Sequence, residues 1–340
     1  MPHGLDHIVH AVRDLDAAAE FYASAGFTVG ARNRHPWGTH NRIVQLRNCY
    51  IEILEVAEPE KIAPHGEHSF SFGAFNRDFL ASRQGFSMLI LNSSNAADDA
   101  RSFETAGIGG RKVFDFARDG AKPDGTPVRL AFSLAFARDP NSADVRFAVC
   151  QHHFPENFWD PAFQAHANGA RAVPGVAMVA DNPTDHHVFL KAFTGVSDLH
   201  SSSSGIRART ENGDVDITER VAFGGQFGVS PDVRGEGMTL DAMRFAVSDM
   251  AEVEALHRRH GIASERHVGR LVVPPAGRPW RNPDIRSGIM ICAYSPRISR
   301  RDLGKLDCAA KADTTFVEHA RGLIRAPLPG MVLSETRKEA

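Results

Sequence analysis

The sequence predicts an α+β fold of four β-α-β-β-β units that make two cupped-sheet domains. Three observations carry this. Short runs of alternating apolar residues, the period of a half-buried strand, recur along the chain. A helical pattern follows the first run of each group, opening at Asp14, Asn95, Thr184 and Asp249 and closing at Gly26, Gly107, Gly195 and Gly261. Anchored on Gly26 and Gly107, the second unit begins 81 residues after the first, a spacing of domain halves rather than solenoid repeats.

The first unit sets the plan. Leu5 to Val12 reads as a strand, with His7, Val9 and Ala11 on one face and Ile8, His10 and Val12 on the other. In the helix after Asp14, Leu15, Ala18, Ala19, Tyr22 and Ala25 form the stripe that packs on a sheet. Strands are expected at Phe27–Asn33, Asn41–Leu46 and Cys49–Val56, parted by the turn His35-Pro36-Trp37-Gly38 and by Arg47-Asn48. A Phe-rich connector from Glu58 to Arg83 contains a short helix around Phe75 to Ser82.

The second unit has strands at Phe86–Leu91, near Arg111–Phe116, Val128–Phe136 and Val145–Gln151, and a helix at Asn95–Ala106. A third follows with Ala172–Val179, a helix Thr184–Thr194, a mobile turn at Ser201 to Ser204, and strands at Gly205–Thr210 and Val215–Phe223. The fourth has Ala242–Val247, a helix Asp249–His260, a loop at Glu265 to His267, and strands near Leu271–Val273 and Gly288–Tyr294. Domains are expected at 1–158 and 170–296, with a tail at 297–340 that carries one apolar stretch, Gly322 to Pro329. Alternation within the strands predicts helices on the convex side of each sheet and a cavity on the concave side.

With 340 residues, 42% hydrophobic and 24% charged, the chain can bury large cores. A net charge of −2 gives no field for a phosphate backbone, so nucleic acid is not an expected partner. There is no apolar run long enough for a membrane span and no signal-peptide pattern at the N-terminus, so a cytoplasmic, reduced setting is expected. Cys49, Cys150, Cys292 and Cys308 are scattered and form no metal or disulfide pattern.

LDHIVHAVRDLDAAAEFYASAGF, followed by WGTHNRIVQL and CYIEILEV, resembles the vicinal oxygen chelate superfamily, in the branch of glyoxalase-like domain proteins. The resemblance is clearest over residues 5–56, extends to about Trp159, and is architectural beyond. It implies paired units cupped around a divalent metal that chelates two adjacent substrate oxygens, with ligands from the first and last strands of each unit. Carried over by position, these are His7 and Glu52 in the first unit, with Glu52 also the catalytic group. In the second unit the first-strand position falls at Ser87 or Met88, neither a usual ligand, and the last strand offers Gln151, His152 or His153. Strand period places Gln151 and His153 opposite His152. His152 is the chosen third ligand and Gln151 the substrate-contacting alternative.

Two imidazoles and a carboxylate suit Zn, Mn, Ni, Fe(II) or Mg without distinguishing them. The plain alternative is a satisfied core histidine at 7 and an edge carboxylate at 52. Trp37, His40 and Asn41 resemble a cavity-lining stretch of the branch and are expected to contact substrate. Equivalent positions in the later units, Val176, Ala242 and Met243, are apolar, so the second domain is expected to be a metal-free copy. The extradiol dioxygenases share the four-unit plan, but their C-terminal ligands are absent here. Paired units of this superfamily close sites within a chain or across a homodimer, and two domains in one chain predict intrachain closure. His186, His187 and the His257–His260 pair are expected at the surface. The expected activity is that of a metal-dependent isomerase or lyase acting on a small oxygenated molecule. An Fe(II) dioxygenase and a non-catalytic sequestering protein are the alternatives.

Overall fold

The computed structural model describes residues 2–122, 125–231 and 237–274, and the backbone of 292–295. All belong to a compact unit ending at Arg297. The tail at 297–340, with Gly322 to Pro329, and most of the expected strand Gly288–Tyr294 lie outside the described residues.

The first unit comprises β1 (Leu5–Ala11), α1 (Leu15–Ser24), β2 (Asn33–Arg34), β3 (Thr39–Gln45) and β4 (Tyr50–Val56). After α2 (Phe72–Ser82) come β5 (Gly85–Asn92), α3 (Ala96–Thr105), β6 (Phe114–Ala121), β7 (Pro127–Ala137) and β8 (Arg146–His152). A short α4 (Pro155–Phe158) leads to β9 (Ala170–Val179), α5 (His187–Thr194), β10 (His200–Ser202), β11 (Gly205–Ala208), β12 (Asp214–Thr218) and α6 (Arg220–Phe227). The last unit has β13 (Thr239–Val247), α7 (Met250–Arg259), β14 (Glu265–His267), β15 (Arg270–Val272) and β16 (Cys292–Ser295).

One pairing rule repeats. In each unit the first strand runs parallel to the last, and the remaining strands extend outward antiparallel from it. The first strands of consecutive units lie side by side antiparallel, β1 with β5 and β9 with β13. The two halves join through the pairing of Leu240 with Phe86. The expected α+β fold of four such units is therefore what forms.

Helix placement follows the caps. Asp14 accepts from the Ala17 amide, Asn95 from Ala97 and Asp98, and Asp249 from Ala251 and Glu252, each satisfying donors a helix start leaves unpaired. A shared core gathers the helix-facing side of all four first strands, including Ile8, Leu89, Val176 and Phe245. The concave faces hold separate clusters, one around Val9, Met88 and Phe132 and one around Ala177, Phe223 and Val272.

Several local expectations are corrected. Of Phe27–Asn33 only Asn33 enters a ladder, because Thr28 is tied instead to Ala165 and His166 of the inter-unit connector. Of the expected turn Ser201–Ser204, Ser203 and Ser204 form the turn of a hairpin and Ser201 and Ser202 belong to its first strand, while Glu265–His267 is a strand and not a loop. Val215–Phe223 divides at Glu219, where the chain enters α6. His186 is buried against Asp139 at 2.5 Å, and His257 is fully buried while His260 is exposed.

Candidate functional site

The concave face of the first half is organised by an irregularity in β1. Leu5 pairs with Leu91 but His7 with Ile90, so Asp6 is the extra residue of a β-bulge. A bulge re-aims side chains, and here both Asp6 and His7 enter the cup, where each is almost wholly buried. Asp6 Oδ1 lies 2.6 Å from His7 Nδ1, and its Oδ2 lies 3.0 Å from His152 Nε2. Burial alone would raise the Asp6 carboxyl. The charge of His152 and the hydrogen bonds from both imidazoles outweigh it and hold the group at about 2.

An ionised Asp6 only accepts, so His7 donates from Nδ1 and turns Nε2 inward. That nitrogen is 3.9 Å from Glu52 Oε2. Tyr50 stacks on the His7 ring at 4.3 Å and 11° and fixes its plane. Glu52 sits on β4 opposite Val9, and its Oε1 accepts from Asn41 Nδ2 at 2.6 Å. Beyond it His35 Nε2 lies 3.9 Å from the same oxygen, while His35 Nδ1 reaches Thr39 Oγ1 at 2.8 Å. Burial lowers the His35 imidazole, with Glu52 acting against it. The turn carrying His35 depends on Gly38, at φ +88°, where a Cβ would stand 2.3 Å from the Glu58 carbonyl.

His7, Glu52, Asn41 and His35 line a cavity of about 50 Å³ walled by Trp37, Phe72, Phe114, Phe116, Phe132 and Phe158. That is room for a few waters or a compact polar group. Trp37 stacks on His35 at 4.5 Å. Arg118, on β6, brings a cation to the same cavity; burial holds it below its usual value, against the pull of Tyr50 and Glu52.

Of the residues expected at the site, His7, Glu52, Trp37 and Asn41 line one cavity. His152 is on the same face, but its Nε2 engages Asp6, so the His7 ring stands between it and Glu52. His40 faces the other side of β3, between Arg32 and Glu58. Gln151 also points away and accepts from the Ala96 amide at the start of α3. Sequence reasoning missed Asp6, His35 and Arg118. His35 had a signal, adjoining the recognised Trp37-Asn41 stretch, whereas the bulge at Asp6 had none.

Two donor sets could hold a divalent ion. His7 Nε2 and Glu52 Oε2 lie within the span of two ligands sharing an ion about 2.1 Å from each. Asp6, Cys150 and His152 offer O, S and N atoms all within 4.8 Å of one another, and the buried Nδ1 of His152 has no partner among the described residues. The mixed N and O donors around Glu52 suit a borderline divalent ion, and Asp6 on the far nitrogen of His7 orients that ligand as a supporting carboxylate does in such sites.

A family model described as a glyoxalase-like domain matches residues 5–194. No curated protein sequence matches the chain. Among solved structures, the chain is similar to a hypothetical protein from Staphylococcus aureus at TM-score 0.54 and 13% identity, over 72% of this chain and 92% of that one. A 4-hydroxymandelate synthase mutant from Streptomyces coelicolor aligns at TM-score 0.46 and 12% identity over 79% and 78% of the two chains. Methylmalonyl-CoA epimerase from Mycobacterium tuberculosis aligns at 0.31 and 17% over 44% and 87%. The first likeness speaks to the fold, in line with the repeated strand order above. With the family match spanning more than half its length, the chain belongs to the glyoxalase-like domain family of the vicinal oxygen chelate superfamily.

Proposed function

We propose that the protein is a metal-dependent enzyme that moves a proton on a small oxygenated organic molecule, in the manner of an isomerase or lyase, within the aromatic cavity of its first half. The observation that carries this reading is the buried line His152, Asp6, His7, Glu52, Asn41, His35, in which the Glu52 carboxylate faces imidazole nitrogens inside that cavity. A bound divalent ion would supply Lewis-acid polarisation of two adjacent substrate oxygens. His7, Glu52 and His35 are the residues that would hold it.

Within the chain, Asp6 keeps the proton on His7 Nδ1, so that Nε2 faces the cavity as the donor that would hold the ion. Asn41 engages Oε1 of Glu52, so Oε2 is the oxygen that would take or return a proton at a substrate carbon where substrate oxygens replace it as a ligand. The aromatic walls exclude water, which strengthens both contacts, and Arg118 is placed to meet an oxyanion. The test is elemental analysis of protein purified without chelator or metal column, with a screen for solvent-deuterium incorporation into 2-hydroxy and 2-oxo acids. About one metal per chain, lost in His7→Ala, with exchange lost in Glu52→Gln, is the expected result. Absence of metal after reconstitution would overturn it.

The donor chemistry of two imidazoles and one carboxylate around His7, His35 and Glu52 also favours a second reading, an Fe(II) oxygenase. Oxygen consumption only in iron-loaded protein would select it. A sequestering protein is favoured by the aromatic walls alone, and would keep ligand quenching of Trp37 fluorescence in Glu52→Gln.

A further inference from the structure

The concave face of the first half carries a second cleft next to the cavity above: Phe114 lines the cavity, Phe70 and Phe136 line the cleft, and the three rings pack together. Phe70 and Phe136 lie 4.2 Å apart and Phe114 and Phe136 6.4 Å apart. The cleft encloses about 360 Å³ between Phe70, Ile108 and Phe136, and Arg111, Arg138 and Arg146 converge on it. Its acid is Glu67, whose side chain is 88% exposed and lies 3.7 Å from His68. Among the described residues none of the three arginines forms an ion pair.

Arg111 and Arg146 are nevertheless held in place. Arg111 Nη1 donates to the carbonyls of Gly66 at 2.6 Å and Glu67 at 2.9 Å, which fixes its fork and leaves its other N–H groups for a ligand. Arg146 opens β8 and lies over the rings of Phe75 at 5.2 Å and Phe70 at 5.9 Å. Its Nε is buried without a partner among the described residues. Burial, with Arg138 and Arg111 beside it, lowers the Arg146 guanidinium from its usual value. Guanidinium groups do not deprotonate in proteins, so the repulsion among them stands until an anion answers it. A cation would be repelled, and a purely apolar ligand would leave the buried N–H unpaired. The apolar wall beside the arginines suits carbon attached to the anionic group.

We propose that Arg111, Arg138 and Arg146 form an oxyanion-binding subsite that holds the carboxylate or phosphate end of the substrate, whose reactive oxygens occupy the adjoining cavity. The substrate part of this assignment rests on the proton-transfer reading of Glu52 and His7; the anion site itself does not.

The experiment is titration calorimetry of the full chain at low ionic strength with inorganic phosphate and with succinate. Wild type and Glu52→Gln should bind at least one of these alike, with affinity falling as sodium chloride rises. Arg138, whose side chain is exposed, can be changed without threatening the fold, and Arg138→Gln should weaken binding about tenfold, with Arg146→Gln weakening it further. Binding of phosphate alone assigns a phosphate ester, and of succinate alone a carboxylic acid. No heat with either anion, or equal affinity in Arg138→Gln, overturns the subsite and leaves the Glu52 chemistry standing. Anion binding intact in a protein that holds no metal and exchanges no deuterium overturns the assignment of this anion to a substrate and leaves the oxyanion site.

Discussion

The two cups of this molecule share a backbone plan and differ in what they do with a buried acid. In the first, β1 sets Val9 opposite Glu52 and His7 opposite Tyr50. In the second, β9 sets Ala177 opposite Asp216 and Gly175 opposite Asp214, so Asp216 takes the register position of Glu52 and glycine that of His7. The space is filled by Arg244, which pairs across from Gly175 and whose Nη2 would stand 1.9 Å from a Cβ there. Arg244 Nη1 reaches Asp216 at 2.7 Å, and Arg207 grips the same carboxylate from its other side. Glu52 faces imidazoles, which can gain and lose a proton, while Asp216 faces guanidiniums, which cannot. One acid is left available and the other is neutralised for structure.

The largest effects should separate those roles. Glu52→Gln should lower turnover of the substrate found by the exchange screen about 10²–10⁴-fold with little change in stability. Asp216→Asn should leave turnover intact and cost about 3 kcal/mol, since it strands the largely buried Arg244 while Arg207 keeps Asp214 at 3.6 Å. Turnover and urea unfolding of both variants check this. A comparable loss of turnover in Asp216→Asn would break the comparison.

Acid should act on what the halves share instead of on either cup. Burial pushes His10, beneath α1 and bonded to Tyr22, down to about 4, and burial likewise lowers His257 in α7 against the opposing pull of Glu254. A histidine whose folded pKa lies below its unfolded value of about 6.5 favours the native state fully above that pH. As pH falls from 6.5 toward 4 the unfolded chain takes up the proton first, and His10 alone should account for a loss of about 3 kcal/mol. Asp6, at about 2, enters only below pH 3.8. Unfolding free energies across pH 7 to 4 should therefore decline in wild type and decline less in His10→Gln.

A third variant probes the packing that replaced the histidine. Gly175→Ala must displace Arg244 Nη2 and also meets the Asp214 carbonyl at 2.7 Å, which is backbone and yields little. A loss of about 1–3 kcal/mol is expected, read as a lower urea midpoint at unchanged slope.

The sequence made the frame legible because frame and sequence share a period. Helix-opening Asp14, Asn95 and Asp249 mark the first, second and fourth units, and a helix-closing glycine marks each unit, without reference to anything distant. The site was legible only where it obeys strand alternation, as with His7 and Glu52. Asp6 was hidden because the bulge breaks that alternation, and His35 because it rides on a turn whose course is set by Gly38 against Glu58. His40 and Gln151 were drawn to the site by a motif and a strand end, yet each lies one residue out of phase with the cavity, where a single step reverses the face. The buried His186 and His257 show the same limit: Asp185 and His187 flank the one and Arg258 and Arg259 follow the other, and only packing decides their burial.

The smallest expected effect tests whether the frame itself is common to both halves. Asp14 and Asp249 each occupy an extended N-cap and accept backbone amides two or three residues ahead, from Ala17 in one case and from Ala251 and Glu252 in the other. Neither touches a cup. If the units are equivalent supports, Asp14→Ala and Asp249→Ala should each cost about 1 kcal/mol and add in the double variant, because the two caps share no partner. Metal content and turnover should stay at wild-type levels in both. A cost confined to Asp14→Ala would mean that the second half unfolds separately and contributes nothing to the measured transition. Equal and additive costs would place α1 and α7 in one cooperative unit, with the difference between the cups confined to the side chains that β1, β4, β9 and β12 turn inward.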